Sequence, residues 1–163
     1  MAEPAGRRRL LATREHCMIR PALEDDLPRI VVIVRAAYAR YLLRMDRLPG
    51  PMLDDYRARI AEGVVDIVED GGTVAGIVVL LEKAGHLLLD NVAVDPAFQG
   101  RGLGRALLAH AEAEARRRGH TELRLYTHET MAENVELYRS LGYEETHRVE
   151  EDGYRRVYMN KRL

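Results

Sequence analysis

Hydrophobic and polar positions change period several times along the chain, and each change marks an element. Cys17 to Arg20 predicts a short strand, closed by Pro21. Glu24-Asp25-Asp26 then places carboxylates in the first turn of a helix running to about Ala39, where negative charge suits the helix N-terminus. Ile30, Val31, Val34 and Tyr38 fall on one face of it. Leu48-Pro49-Gly50-Pro51 interrupts the pattern, and a second short helix is predicted from Leu53 to Ala61, stopped at Gly63. Three strand-like runs come next, Val64–Glu69, Thr73–Leu81 and Leu87–Val94, the first two joined by a Gly71-Gly72 turn.

From Gly102 to Arg118 the period becomes helical, with Leu103, Leu107, Ala111 and Ala115 on one stripe. Gly119 stops this helix, and Arg116-Arg117-Arg118 sit at its negative end. Glu122–Thr127 predicts a strand and Met131–Leu141 a helix ended by Gly142; two closing strands flank a turn at Asp152-Gly153. No internal repeat interrupts the order β-α-α-β-β-β-α-β-α-β-β. That order argues for an α+β fold: a mixed, mostly antiparallel sheet flanked by helices on both faces.

Composition narrows the class without naming a function. A chain of 163 residues, 47% hydrophobic and 31% charged, fits one globular domain. Residues 1–16, rich in Arg and Ala, predict a loosely ordered leader, and 17–163 the domain proper. A formal net charge of −1 gives no argument for nucleic acid or membrane partners. No apolar run approaches the roughly 20 residues of a membrane helix, and Met1 to Arg9 lacks a secretory apolar stretch. The single cysteine, Cys17, excludes an intrachain disulfide and fits a reducing, cytoplasmic setting. The histidines show no metal-ligand spacing, so no metal is expected.

The most informative stretch is Val92-Ala93-Val94-Asp95-Pro96-Ala97-Phe98-Gln99-Gly100-Arg101-Gly102-Leu103-Gly104-Arg105. An apolar strand ends at Val94, Asp95-Pro96 turns the chain, and alternate glycines open a helix. A helix N-terminus exposes unpaired N–H groups and partial positive charge, and glycines let backbone approach an anion closely. Arg101 and Arg105 add charge beside it. The P-loop pattern is absent, and the dinucleotide fingerprint fails because position 105 is Arg. A plain strand–turn–helix joint, or another phosphate-binding loop, stays open on these residues alone.

What remains is Gln-x-x-Gly-x-Gly at Gln99, Gly102 and Gly104, which resembles the pyrophosphate loop of the GNAT acetyltransferases. Downstream, Asn134-Val135-Glu136-Leu137-Tyr138-Arg139-Ser140-Leu141-Gly142-Tyr143 resembles the same family's Asn-x-x-x-x-Tyr segment, with its Gly-Phe/Tyr end. The resemblance covers roughly 17–163 and is most specific over 87–143. It implies acetyl-CoA as cosubstrate, pantetheine beside Val92, Ala93 and Val94, and diphosphate in the cradle Gly100, Arg101, Gly102, Leu103, Gly104 and Arg105 just after Gln99. It also implies Asn134 against pantetheine and Tyr138 near the thioester sulfur, the two sharing a helix face. A phenol with a pKa of about 10 is protonated near neutrality and can donate as the thiolate leaves.

The implied reaction is direct attack of a primary amine on acetyl-CoA in a ternary complex. The amine must lose a proton, and Asp90, Glu129 and then His128 are the candidate bases, with a water chain as the alternative. A backbone N–H near Val92 would meet the oxyanion. Asp54 and Asp55 are read as serving the second helix's N-terminus, and Cys17 as a small core residue. The acceptor, a small-molecule or peptide amine, is not specified, and a homodimer stays open. The alternative from another class is a non-catalytic acyl-CoA-binding sensor.

Overall fold

The computed structural model describes residues 11–14 and 17–163. In chain order the elements are β1 (Leu11–Arg14), β2 (Cys17–Pro21), α1 (Leu27–Tyr38), α2 (Tyr56–Ala61), β3 (Val65–Asp70), β4 (Thr73–Lys83), β5 (His86–Val94), α3 (Leu103–Arg117), β6 (Glu122–His128), α4 (Ala132–Ser140), β7 (Glu144–Glu151) and β8 (Tyr154–Arg162). One eight-stranded sheet runs in the order β1-β2-β3-β4-β5-β6-β8-β7. Among the described residues only β5 and β6 pair in parallel, so the sheet is mixed and mostly antiparallel, as the pattern predicts.

Differences from the sequence pattern are local. Leu11–Arg14, inside the stretch read as a leader, is a short edge strand against β2; order there comes from ladder pairing, which leaves no periodic signal. The rest of that leader lies outside the described residues. Glu24–Asp26 forms a 3-10 turn ahead of α1, and on α1 it is Ile33 that is fully buried with Ile30 and Val34. Gly50–Leu53 is another 3-10 turn, so α2 begins only at Tyr56, where the Asp55 carboxylate accepts from the Ala58 N–H. Asp54 instead pairs with Arg59 at 3.2 Å. Cys17 is half-buried against the α3-side core.

Two cores sandwich the N-terminal half of the sheet. Ile30, Ile33 and Val34 of α1 pack on Val65, Ile67, Ile77 and Val79. On the other face Leu103, Leu107, Ala111 and Ala115 of α3 meet Val68, Val78, Leu87 and Leu89. Gly76 on β4 lets α3 come close: a Cβ there would stand 2.9 Å from the Ala93 carbonyl oxygen and 3.2 Å from Leu107 Cδ1. Leu107 is 0% exposed, so Leu107→Ala removes a fully packed side chain and leaves a cavity. We expect about 2–5 kcal/mol of lost stability, read as a lowered denaturant midpoint with unchanged slope.

The feature that builds the site is where the ladder fails. β5 pairs with β6 only over Leu87–Leu89 and Leu123–Leu125, after which the two strands part. On its other edge, β5 keeps pairing with β4 through Val94, but Val79 opposes Asn91 while Leu80 opposes Leu89. Asp90 is therefore the extra residue of a β-bulge. The bulge reverses the faces: Leu87 and Leu89 join the α3-side core, whereas Ala93 joins the α1-side core.

Candidate active site

The gap between β5 and β6 exposes backbone. The Asp95 N–H donates to the Ala75 carbonyl at 2.8 Å, which fixes the alternation of the β4–β5 ladder. Asn91 and Ala93 then turn their backbone groups to β4, and Val92 and Val94 turn theirs to the gap. At the strand's end Asp95 accepts from the Ala97 N–H, and the Gln99 side chain donates to the Val94 carbonyl at 3.3 Å. The chain then passes through Gly100 (φ 82°) and Gly102 (φ 80°), both left-handed, before α3 starts. That conformation suits glycine and aims successive amides outward. The first-turn amides of Leu103, Gly104 and Arg105 have no intrahelical acceptor.

These elements wall a cleft of about 420 Å³ lined by Val92, Ala93, Val94, Gln99, Gly100, Gly102, Leu103, Gly104 and Arg105 on one side. Arg40, Tyr41, Asn134 and Tyr138 line the other. Glycine backbone, outward strand amides, a helix N-terminus and Arg105 fit a diphosphate followed by an amide-bearing arm. Arg101 is not among the lining residues; it pairs with Asp70 at 3.0 Å and lies over the Phe98 ring, bracing the loop from outside. All the other expected cosubstrate contacts are brought together here.

A second cavity, about 380 Å³, lies beyond the bulge and is lined by Asp90, Tyr126, His128, Asp54, Arg59 and Arg156 among others. Tyr38, Val92, Asn134 and Tyr138 line both cavities, so the two cavities adjoin at these four residues. Tyr138 is 6% exposed, and burial holds its phenol well above the ordinary tyrosine value. Its ring packs edge-on to the buried Tyr143.

The three candidate bases are placed very differently. Asp90 lines the second cavity and accepts a hydrogen bond from the Tyr126 hydroxyl at 2.8 Å. Tyr126 is itself held protonated, chiefly by burial and then by Asp90's charge. Glu129 is exposed, 3.7 Å from Arg155, and lines neither cavity. His128 lines the cavity, but its Nδ1 accepts the Thr130 N–H at 3.2 Å. The Thr130 hydroxyl lies 2.8 Å from the same Nδ1, so that nitrogen is engaged by Thr130 on two sides. Burial, and then Arg155, lower the ring's pKa.

Residues 30–143 match the family model described as "Acetyltransferase (GNAT) family". The chain belongs to the GNAT acetyltransferase family. Over 67 residues it is 45% identical to the [ribosomal protein bS18]-alanine N-acetyltransferase of Escherichia coli (strain K12), covering 41% of this chain and 43% of that protein. The match thus spans less than half the length of that relative. The solved structure of the Escherichia coli enzyme superposes with a TM-score of 0.72 at 25% identity, over 90% of this chain and 94% of that one. An N-acetyltransferase of Thermoplasma acidophilum in complex with coenzyme A shares the fold, with TM-score 0.77 and 18% identity over 90% and 99% of the two chains. The Salmonella typhimurium protein yncA, a putative acetyltransferase solved with acetyl-CoA, gives 0.70 at 25% identity over 91% and 95%. The expectation of acetyl-CoA as cosubstrate thus agrees with family members that hold it.

Within this GNAT fold lies a buried polar chain that the sequence pattern does not reveal. The Tyr38 hydroxyl donates to Asn91 Oδ1 at 2.6 Å, and Asn91 Nδ2 donates to the Tyr56 hydroxyl at 3.0 Å. Tyr56 in turn donates to the Pro51 carbonyl at 2.5 Å. Asn91 is 3% exposed, and its amide joins α1, α2 and the proline turn to the bulge. An isolated asparagine after a leucine run carries no signal for this role. Among the described residues no cluster of His, Cys, Asp or Glu could hold a metal ion, and no helix is long and apolar enough to cross a membrane.

Proposed function

We propose that the protein moves the acetyl group of acetyl-CoA to a primary amine by direct attack in a ternary complex, with Tyr138 as general acid. The observation that carries this reading is the position of Tyr138, a protonated and buried phenol lining both the cosubstrate cleft and the second cavity. A donor lying along Val92 and Val94 from the α3 N-terminus ends where the two cavities adjoin. An amine entering through the second cavity reaches the same point from the other side. Tyr138 then donates to the sulfur as the C–S bond breaks, and the Val92 N–H faces the developing oxyanion.

Asp90 is the group placed to draw in the ammonium form and accept its proton, directly or through water. Its Oδ1 is anchored by Tyr126, which fixes the carboxylate at the bulge. An α-amine, with a reference pKa of about 8, needs less help than a lysine side chain at about 10.4. This favours a protein or peptide chain end as acceptor, in line with the relative named for a ribosomal-protein alanine.

Asp90→Asn keeps the hydrogen bond from Tyr126 and removes the basic oxygen. We expect kcat/KM for the amine to fall about 10²-fold at pH 7, with acetyl-CoA affinity unchanged. The deficit should shrink as pH rises toward the amine's own pKa, because the neutral amine then forms without a base. A pH–rate profile measures both, and wild-type rates in the variant across that range would remove Asp90 from the reaction.

A further inference from the structure

Arg29 stands where a helix does not favour it. It is the third residue of α1, and a cation in a first turn opposes the helix dipole. Nor does it belong to either core: its side chain is 32% exposed, while Ile30, Ile33 and Val34 beside it seat α1 on the sheet. The guanidinium reaches instead to the end of β5. Its Nε donates to the Val74 carbonyl at 2.9 Å, and its Nη2 donates to Asp95 Oδ2 at 2.5 Å. Asp95 is the residue from which the diphosphate loop departs. Its N–H is bound to the Ala75 carbonyl, its own carbonyl accepts from the Phe98 N–H at 2.8 Å, and its Oδ1 accepts from the Ala97 N–H at 2.9 Å. Arg29 takes the remaining oxygen.

An ordinary surface ion pair contributes little, but this one joins three elements through a single guanidinium. It fastens the packed helix α1 to the start of β4 and to the turn after β5. The Ala97 N–H, and after it Arg29, hold the Asp95 carboxyl below the usual range, so the pair is charged at neutral pH. Farther on, Gly100 and Gly102 give the loop no rigidity of their own, and Arg101 ties its outer side to Asp70 at 3.0 Å. We propose that Arg29 is a positioning residue for the cosubstrate: through Asp95 it sets the angle at which the loop leaves β5, and so where the first-turn amides of α3 meet the diphosphate. This inference rests on reading that loop as the diphosphate site, and it adds a residue that lines neither cavity to the control of that site.

The test compares the full wild-type chain with Arg29→Met, which keeps an apolar stem, and Asp95→Asn, which keeps an oxygen for the Ala97 N–H. Calorimetry gives acetyl-CoA affinity. Free-thiol release with an amine acceptor gives kcat and KM for two donors, acetyl-CoA and S-acetylpantetheine, which lacks the diphosphate. The expected result in either variant is a rise of about tenfold or more in Kd and KM for acetyl-CoA, with kcat and S-acetylpantetheine turnover unchanged. The double variant should lose no more than either single one, because both act through one contact. Equal losses with both donors overturn the inference, since the pair then supports the fold as a whole, and so does wild-type acetyl-CoA affinity in Arg29→Met. A loss in Arg29→Met that Asp95→Asn does not share overturns the route through Asp95. Weakened binding in Gly102→Val with none in Arg29→Met removes this inference and leaves the loop reading standing. Acetyl-CoA binding without turnover removes the transferase reading, and the variants' calorimetry still decides this one.

Discussion

Tyr138→Phe is expected to lower kcat by about 10²- to 10⁴-fold while changing KM for acetyl-CoA little. The ring is the part of Tyr138 that packs, edge-on to Tyr143 and within the α3-side core, and phenylalanine keeps it. Only the hydroxyl is lost, from a residue that lines both cavities. A group that acts on the leaving thiolate stabilises the transition state and not the bound ground state, so the loss appears in kcat. Burial raises the phenol's pKa, so the acid form is present throughout the neutral range. Steady-state kinetics with wild type and variant decide the matter. A variant with full kcat would make Tyr138 a wall of the two cavities and nothing more.

The second large effect concerns the loop. Gly102 opens α3 in the left-handed region, at φ 80°, and Gly100 lies there too, at 82°. A β-branched side chain at position 102 pulls the backbone back to negative φ and turns the first-turn amides away from the cleft. Restoring the binding geometry then costs of order 1–3 kcal/mol, so Gly102→Val should weaken acetyl-CoA binding by roughly 5- to 150-fold. Gly102 is exposed and outside both cores, so no packing is lost and the melting temperature should fall by no more than that strain accounts for, a few degrees per kcal/mol. Calorimetric titration with acetyl-CoA measures the effect. Wild-type affinity in this variant would mean that the diphosphate does not rest on these amides.

Much of this architecture is legible in the sequence because local rules carry it. The α3 stripe of Leu103, Leu107, Ala111 and Ala115 is buried as its period requires. The loop glycines take the conformations that make glycine necessary there. The closing hairpin turns at Asp152 and Gly153, both at positive φ. Sheet order is different: β8 lies between β6 and β7, and no residue of either strand announces it.

The bulge is hidden for a physical reason. Both faces of β5 are covered, so its apolar residues occupy both parities and a one-residue phase change leaves no gap in the pattern. Asp90 could thus be suspected as a lone acid in a leucine run, while its partner Tyr126 stands 36 residues away. The Tyr38–Asn91–Tyr56 chain, spanning 53 and 35 residues, is equally invisible before folding. Glu129 shows the converse. Its nearness in sequence to the Asn134–Tyr138 helix suggests a role, but the strand-to-helix turn presents it to solvent beside Arg155.

At the centre of this account, acetyl-CoA gives up its acetyl group to an amine held in the second cavity. The most direct measurement is free-thiol release from acetyl-CoA with and without an amine acceptor, paired with mass analysis of protein and acceptor after the same incubation. Thiol release that requires the amine, one acetyl group gained by the acceptor per thiol freed, and an unmodified protein are the predicted result. Acetyl-CoA binding with no amine-dependent thiol release would contradict the claim and leave a domain that only holds the acyl donor.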